Sequence, residues 1–509
     1  METALNRPFS NRLQTILILI VAATLFVMAG KLVAESSLKT KVALVAALVI
    51  PIIAFRTGRT RETLLFCWVG SLTYNRQYFS FEALTGNLGT QGPYWIVSDL
   101  FLFGILVEWV YRVVYKREAT PARGAAFWPW YLPLALMGVV SLLVATQPDW
   151  TFYELLRTLR ILFILSYVRH NFSPLHWWVV VAAMGLAMTG QSMIGAKEVA
   201  TGRSGLLGGE VSTSLGGFEG VFDQESFYGM VRATGTLNHP PNFACYLMLV
   251  LPVFLGLALT VRSTWLRWTT TLVFLAGCVG LGCSMSRLPI ALVLAEAAAV
   301  VLFLVASRDL SIKHALGIIF TGIFILILVA IPLRDKIMDR ITRDFTASVD
   351  QRADGNRVAL EMFRDAPWLG VGLNNSKAHM LKYIPELAWA FENEDFLTQN
   401  MHSRSIAAMG NGFLFIAVEL GIIGILAYAI FLAGTFVVGF RAVIQTDGPL
   451  RAACFGLTIG TIGVLLEQTI DFSVWVDPQL YTNALVMGML TLAPSIQGFP
   501  VLSDGSDAG

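Results

Sequence analysis

Apolar runs of near-spanning length recur along most of the chain, separated by short polar breaks. A helix needs about 20 apolar residues to cross a bilayer. Runs near 13–30, 41–55, 62–75, 94–115, 126–146, 152–169, 175–195, 241–261, 267–285, 288–307, 315–333, 412–440, 452–470 and 479–495 approach that length. The pattern predicts an all-α polytopic membrane protein with about 12–14 transmembrane helices, the lower number dropping the two short runs at 41–55 and 62–75. Between the runs lie three longer polar segments, Asn75 to Tyr94, glycine-rich Lys197 to Pro240, and Arg334 to Asn411. The chain therefore divides into N-terminal helices (1–195), a loop (196–240), central helices (241–333), a large loop (334–411), C-terminal helices (412–495) and a polar tail (496–509).

Composition agrees with this class. The 509 residues are 55% hydrophobic and only 14% charged, against about 25% charged in soluble domains. Net charge is +2, so no polycation points to nucleic acid. The distribution of charge says more than its sum. Cytoplasmic loops of multi-span proteins are enriched in Lys and Arg. Arg56, Arg59, Arg61, Arg112, Lys116, Arg117, Arg123, Arg262, Arg267, Arg308, Lys313, Arg441 and Arg451 fall on one side if the N-terminus is cytoplasmic. Both termini are then cytoplasmic and the three long segments face outward. The first run follows Arg7 and Arg12 without a convincing cleavage site, and reads as an uncleaved anchor. The five cysteines all lie in apolar runs with no CxxC spacing, which argues against a zinc site or a disulfide framework.

The large outward loop reads as partly helical. NRVALEMFRDAPWLGVGL is a helix that Pro367 ends, with Val358, Met362 and Phe363 as its apolar stripe. YIPELAWAFENEDFL adds a second, aromatic-rich piece.

Several polar residues at membrane edges are candidates for chemistry. In VRATGTLNHPPNFACY, Arg232, His239 and Asn242 sit where a span begins, and an arginine fork suits a lipid phosphate. Arg287 in GCSMSRLPIALVL occupies a very short connection between two spans. Arg357 and Arg364 are seven apart and share a helix face, and Gly370 and Gly372 allow close backbone approach. Glu419 lies inside an apolar run, AMGNGFLFIAVELGIIG, where a carboxylate is costly unless paired or functional. Pairing with one of the arginines is the simplest satisfaction, and Gly421 and Gly424 read as a helix-packing pair. Glu154, Arg157 and Arg160 are spaced to satisfy one another on one helix face. Glu296 and Glu467 are buried acids without a local partner in sequence. Nucleotide-binding GxxxxGK, zinc-helix HExxH and nucleophile-elbow GxSxG patterns are absent.

In their order along the chain, RATGTLNHPPNFACY, SMSR, RVALEMFRDAPWLGVGLNN and GNGFLFIAVELGIIG resemble the O-antigen ligase and polymerase family of bacterial membrane glycosyltransferases. The resemblance is strongest from Arg232 to Gly424; the first 200 residues share only a hydrophobic profile. It implies a glycan donor carried on undecaprenyl pyrophosphate, a membrane lipid, used without cofactor or metal at the periplasmic face of the inner membrane. It implies that Arg232, Arg287 and Arg357 clasp the pyrophosphate, with His239, Asn242, Arg364 and Asn411 as further substrate contacts. The family pattern has a histidine just before the asparagine position, but that place is Gly410 here. His402 or Glu419 would then be the catalytic base. The missing histidine tilts the reading from ligase, acting on lipid A-core or another acceptor, to a polymerase joining O-antigen or exopolysaccharide repeats, with a chain-length regulator as a further partner. A flippase for lipid-linked sugars is the alternative from another class.

Overall fold

A computed structural model describes residues 58–74, 77–79, 94–201, 232–237, 239–313, 345–383, 411–470 and 477–496. The expected spans at 13–30, 41–55 and 315–333, the aromatic-rich piece beyond Tyr383, and His402 lie outside the described residues.

Eleven of the expected spans carry a helix: α1 (Thr60–Ser71), α2 (Val97–Val110), α3 (Trp128–Val140), α4 (Pro148–Asn171), α5 (Pro174–Thr201), α6 (Pro240–Thr260), α7 (Thr264–Ser284), α8 (Arg287–Ala306), and three near the C-terminus. Between α8 and the last three, the large loop contributes α9 (Phe345–Asp365) and α10 (Ser376–Tyr383). The final helices are α11 (Gly412–Ile444), α12 (Gly448–Glu467) and α13 (Asp477–Leu492). Six of these, α5 to α8, α11 and α12, are long and apolar enough to cross a membrane. The fold is an all-α polytopic membrane protein. Among the described residues the only sheet is a two-stranded antiparallel ribbon, β1 (Gln77–Phe79) with β2 (Tyr94–Ile96), pairing Tyr78 with Trp95 just before α2.

Helix α6 is the hub. Its sequence is apolar all round, the signature of a helix enclosed by others, and every residue from Phe243 to Ala258 is buried. Helices α5, α7, α8 and α12 surround it. The α6–α12 approach is set by small residues: a Cβ on Gly456 would lie 2.6 Å from the Val253 backbone, and one on Gly460 2.6 Å from the Leu249 carbonyl. Close backbone contact through small residues is how membrane helices gain packing without a hydrophobic driving force. Because contacts run from Gly456–Val253 to Gly463–Met248, the two helices are antiparallel.

One end of the bundle carries a set of paired cations. At this end α1 starts, α2 stops and α4 stops. There Arg112 pairs with Glu108 at 2.6 Å and also bonds Asn171, Arg61 lies 3.7 Å from Glu108, and Arg123 donates to the Phe172 carbonyl. These are cations that the loop bias assigns to one side. Helix α5 starts from this end and its 28 residues carry the chain about 42 Å away. The residues of interest gather at its far end.

Helix α11 is not one straight span. Gly421 has φ +66° and ψ −165°, breaking it into a short arm and a long arm. A straight helix would hold Phe413 and Tyr428 about 22 Å apart, yet their rings are 5.9 Å apart. The chain therefore bends sharply at Gly421. The expectation of a continuous span from 412 to 440 is corrected on this point, as is the reading of Gly421 as a helix-packing glycine. Its Cβ position is filled by the backbone of Trp368 and Leu369.

Candidate functional site

The first part of the site is a corner around Arg232. Helix α7 ends on Met285, whose left-handed φ of +51° turns the chain so that Ser286 can precede α8. Arg287 is thereby the first residue of α8, half-buried. Arg232 reaches the same turn: its Nε donates to the Ser284 carbonyl at 3.1 Å and its Nη2 to Ser286 Oγ at 3.1 Å. Two arginines that are 55 positions apart in sequence thus meet at one turn. His239 and Asn242 flank the start of α6, where Pro240 and Pro241 occupy the first helical positions that need no N–H.

The second part is a cap. Helix α9 ends ahead of Pro367 as expected, and its stripe of Val358, Ala359 and Met362 is buried against Val371, Met380 and Val418, with Phe363 partly buried beside them. The cap therefore has a small core of its own, built on the short arm of α11. Arg357 and Arg364 lie on the exposed face of α9. The segment Pro367–Asn375 runs on as a strap into the bend at Gly421. Breaking a helix frees backbone groups that hydrocarbon cannot satisfy, and the strap satisfies them. Val371 N donates to Val418 O at 2.9 Å and Gly372 N to Glu419 O at 3.0 Å. In return Ile422 N donates to the Pro367 carbonyl at 2.8 Å. Gly370 (φ +69°) must lack a side chain, since a Cβ would sit 2.4 Å from the Glu419 backbone. On its other side the strap is held by α4 and the turn before it: Thr151 Oγ1 donates to the Leu373 carbonyl at 2.7 Å, and Gln147 N to Asn375 Oδ1 at 2.7 Å.

Glu419 is buried and accepts hydrogen bonds from Asn374 N at 2.8 Å and from Ser376 Oγ at 2.7 Å. The expected arginine partner is corrected: among the described residues its carboxylate is held by the strap and the start of α10. A backbone N–H and a hydroxyl brought in by the strap meet the same need that a cation would. The intrahelical trio is also corrected in part. Glu154 and Arg157 do pair, at 2.6 Å, but Arg160 turns to Asp99 at 3.1 Å and to the Tyr481 hydroxyl at 2.9 Å. Asn411 caps α11, its Oδ1 accepting from Phe413 N and Leu414 N, while its Nδ2 donates to Thr469 O. Arg232 and Arg287 are brought together; Glu419, Asn411 and the helix carrying Arg357 are brought together on the cap. An apolar cavity lined by Tyr131, Leu165, Tyr428, Phe431 and Met487 lies among α3, α4, α11, α12 and α13, and shares no residue with either part.

Sequence reasoning missed three residues here. Glu198 and Gln191, both on α5, hold the backbone after Arg232. The signal was a lone acid at the end of an apolar run. His379 on α10 is half-buried, with its Nδ1 3.2 Å from Thr146 Oγ1. Burial, with Lys382 nearby, holds its imidazole below the ordinary value. Beside it, burial and the hydrogen bond to Asp365 push the Tyr383 phenol up to about 12.

A broken membrane helix stitched by a strap from the large loop, with Arg232 and Arg287 at a turn between two apolar helices, defines a multi-pass membrane protein with polar sites at helix ends. A family model described as O-antigen ligase matches residues 271–429, from within α7 through α8, the cap and the bend of α11. The match overlaps the stretch, Arg232 to Gly424, whose motifs resemble the O-antigen ligase and polymerase family. Arg287, Arg357 and Glu419 fall inside the matched stretch, and Arg232 lies before it. No curated protein matches the chain.

Proposed function

We propose that the protein is a polysaccharide polymerase that moves a glycan from undecaprenyl pyrophosphate onto a growing lipid-linked chain, at the periplasmic face of the bacterial inner membrane. The observation that carries the reading is the meeting of Arg232 and Arg287 at one turn, inside a chain with an O-antigen ligase family match. In the transfer, an acceptor hydroxyl attacks the anomeric carbon and the bond from that carbon to the pyrophosphate oxygen breaks. The bonding pair leaves with the pyrophosphate, and the hydroxyl proton passes to a base. Negative charge grows on the leaving oxygen, and guanidinium donors aimed there lower the barrier in a site poor in water. Arg357, carried by the cap helix, is the third arginine of the proposed clasp, with His239, Asn242 and Arg364 as further contacts.

Glu419 already accepts two hydrogen bonds, which favours a role in fixing the strap over proton abstraction. His402 is then the proposed base. The end of the bundle that carries Arg61, Arg112 and Arg123 would face the cytoplasm. No metal or cofactor enters the proposed step, because arginines supply the positive charge.

The ligase reading has its own support in the description of the matched family, whereas that match lends none to the flippase. Purified protein in detergent, given a lipid-linked repeat unit alone, should lengthen it. Transfer only when lipid A-core is added would replace polymerase by ligase. Failure of both transfers by active-site-intact protein would remove the glycosyltransferase reading.

A further inference from the structure

The turn that follows Arg232 is held firmly by side chains of α5 and backbone of α7. Four consecutive backbone N–H groups are tied. Ala233 N donates to the Cys283 carbonyl at 3.0 Å, Thr234 N to Glu198 Oε2 at 2.8 Å, Gly235 N to the same oxygen at 3.0 Å, and Thr236 N to Gln191 Oε1 at 2.8 Å. The Thr234 hydroxyl adds a contact to Glu198 Oε1 at 3.3 Å. Gly235 adopts φ +58°, and a Cβ there would lie 2.3 Å from Gln191 Oε1. Gln191 is fixed in its turn by donation to Thr73 Oγ1 at 2.9 Å. Glu198 and Gln191 are seven apart on α5, so one helix face carries both. Glu198 is fully buried.

Placing a carboxylate out of water is costly unless its oxygens are engaged. Simple closure of a turn calls for no such group. What the carboxylate gains is rigidity in the peptide units that immediately follow Arg232, while Ser284 and Ser286 fix the guanidinium from the other side. We propose that Glu198, with Gln191, is a positioning residue that holds Arg232 beside Arg287 in the orientation that meets a lipid-linked pyrophosphate. The inference rests on the reading of Arg232 as a pyrophosphate contact. An arginine already ordered loses less entropy on meeting the anion, and small misplacements of such groups are expensive in rate.

The experiment measures transfer kinetics on purified full-length protein, with native mass spectrometry of undecaprenyl pyrophosphate binding and thermal unfolding alongside. Glu198→Gln keeps the shape but replaces the charged acceptor shared by the two backbone N–H groups with a neutral amide oxygen. It should lower kcat/KM about 10–100-fold and weaken undecaprenyl pyrophosphate binding, with the unfolding temperature near wild type. Combined with Arg232→Lys, it should add less than about threefold, because both changes act through one guanidinium. Should Glu198→Gln fail to accumulate, Glu198→Asp is read in its place, with the same sign and non-additivity.

Wild-type kinetics in the Glu198 variant, or effects that multiply with Arg232→Lys, would overturn the positioning role. Loss of stability matching the loss of activity would overturn it as well. Arg232→Ala separates the two claims. If Arg232→Ala retains wild-type turnover, the pyrophosphate reading itself fails. If it is inactive while Glu198→Gln is normal, only the positioning inference fails.

Discussion

The arginine corner and the cap solve the same problem with different materials. Each holds an irregular segment against helices at the end of the bundle. At the corner the helices α5, α7 and α8 stay intact, and side chains reach out to the loop: Glu198 and Gln191 take its N–H groups, Ser284 and Ser286 take Arg232. At the cap it is the helix that breaks, and backbone meets backbone through Val371, Gly372 and Ile422. The difference teaches where each region is vulnerable. A corner built from side chains fails when a functional group is removed. A strap built from peptide groups fails when a side chain is added.

The largest expected effects follow from that contrast. Arg232→Ala and Arg287→Ala should each reduce transfer by about 10²–10³ while protein abundance and unfolding temperature stay unchanged, read as polymer length on gels. Wild-type length in both would remove the clasp. Arg357→Ala should behave alike if the cap helix delivers its guanidinium to the same anion, and a silent Arg357 variant would confine the site to the corner.

Next in size is Gly421→Ala, which leaves every functional side chain in place. The left-handed φ of +66° and a Cβ only 2.3 Å from the Trp368 backbone should cost roughly 3 kcal/mol of stability. The readout is thermal unfolding in detergent. A neutral result would mean that the bend does not depend on glycine. Glu419→Ala should cost about 1–3 kcal/mol, since Asn374 N–H and the Ser376 hydroxyl lose their acceptor in a buried place. If Glu419 instead supplied the base, activity would vanish even at temperatures where the variant is fully folded, and His402→Ala would be silent.

The smallest effect concerns pH. His379 is held below its ordinary value of 6.5 in the folded cap. Above that value both folded and unfolded states are neutral there, and the stability is complete. As pH falls below 6.5 the unfolded chain binds a proton that the folded cap takes up only at lower pH, so stability declines across that window and is level beneath it. Unfolding of wild type and His379→Gln between about pH 7.5 and about pH 5 should converge toward the acid side. Parallel curves would show that His379 is not linked to cap stability.

Much of this was legible in the residues alone. The hydrophobic period located the helices to within a few positions: the run at 241–261 is α6, that at 267–285 is α7, and that at 288–307 is α8. The stripe Val358, Met362, Phe363 was readable because helical spacing is a local property, and Pro367 marked the stop for the same reason. Arg232 and Arg287 stood out because cations at the apolar rim need a reason to be there.

Partnerships were not legible. Whether Glu419 meets an arginine or the strap, whether Arg160 meets Glu154 or Asp99, and whether Gly421 packs or bends are questions about which distant groups arrive at one place. Periodicity and composition report what a segment does by itself. A helix that breaks, and a carboxylate buried at the end of α5, create needs for hydrogen-bond partners that many parts of the chain could meet. The sequence determined the helices, their apolar faces and the candidate cations. Only the folded arrangement decided that the strap fills the bend of α11 and that Glu198 steadies the turn beside Arg232, because those contacts join residues 36 to 55 positions apart and depend on how the helices between them pack.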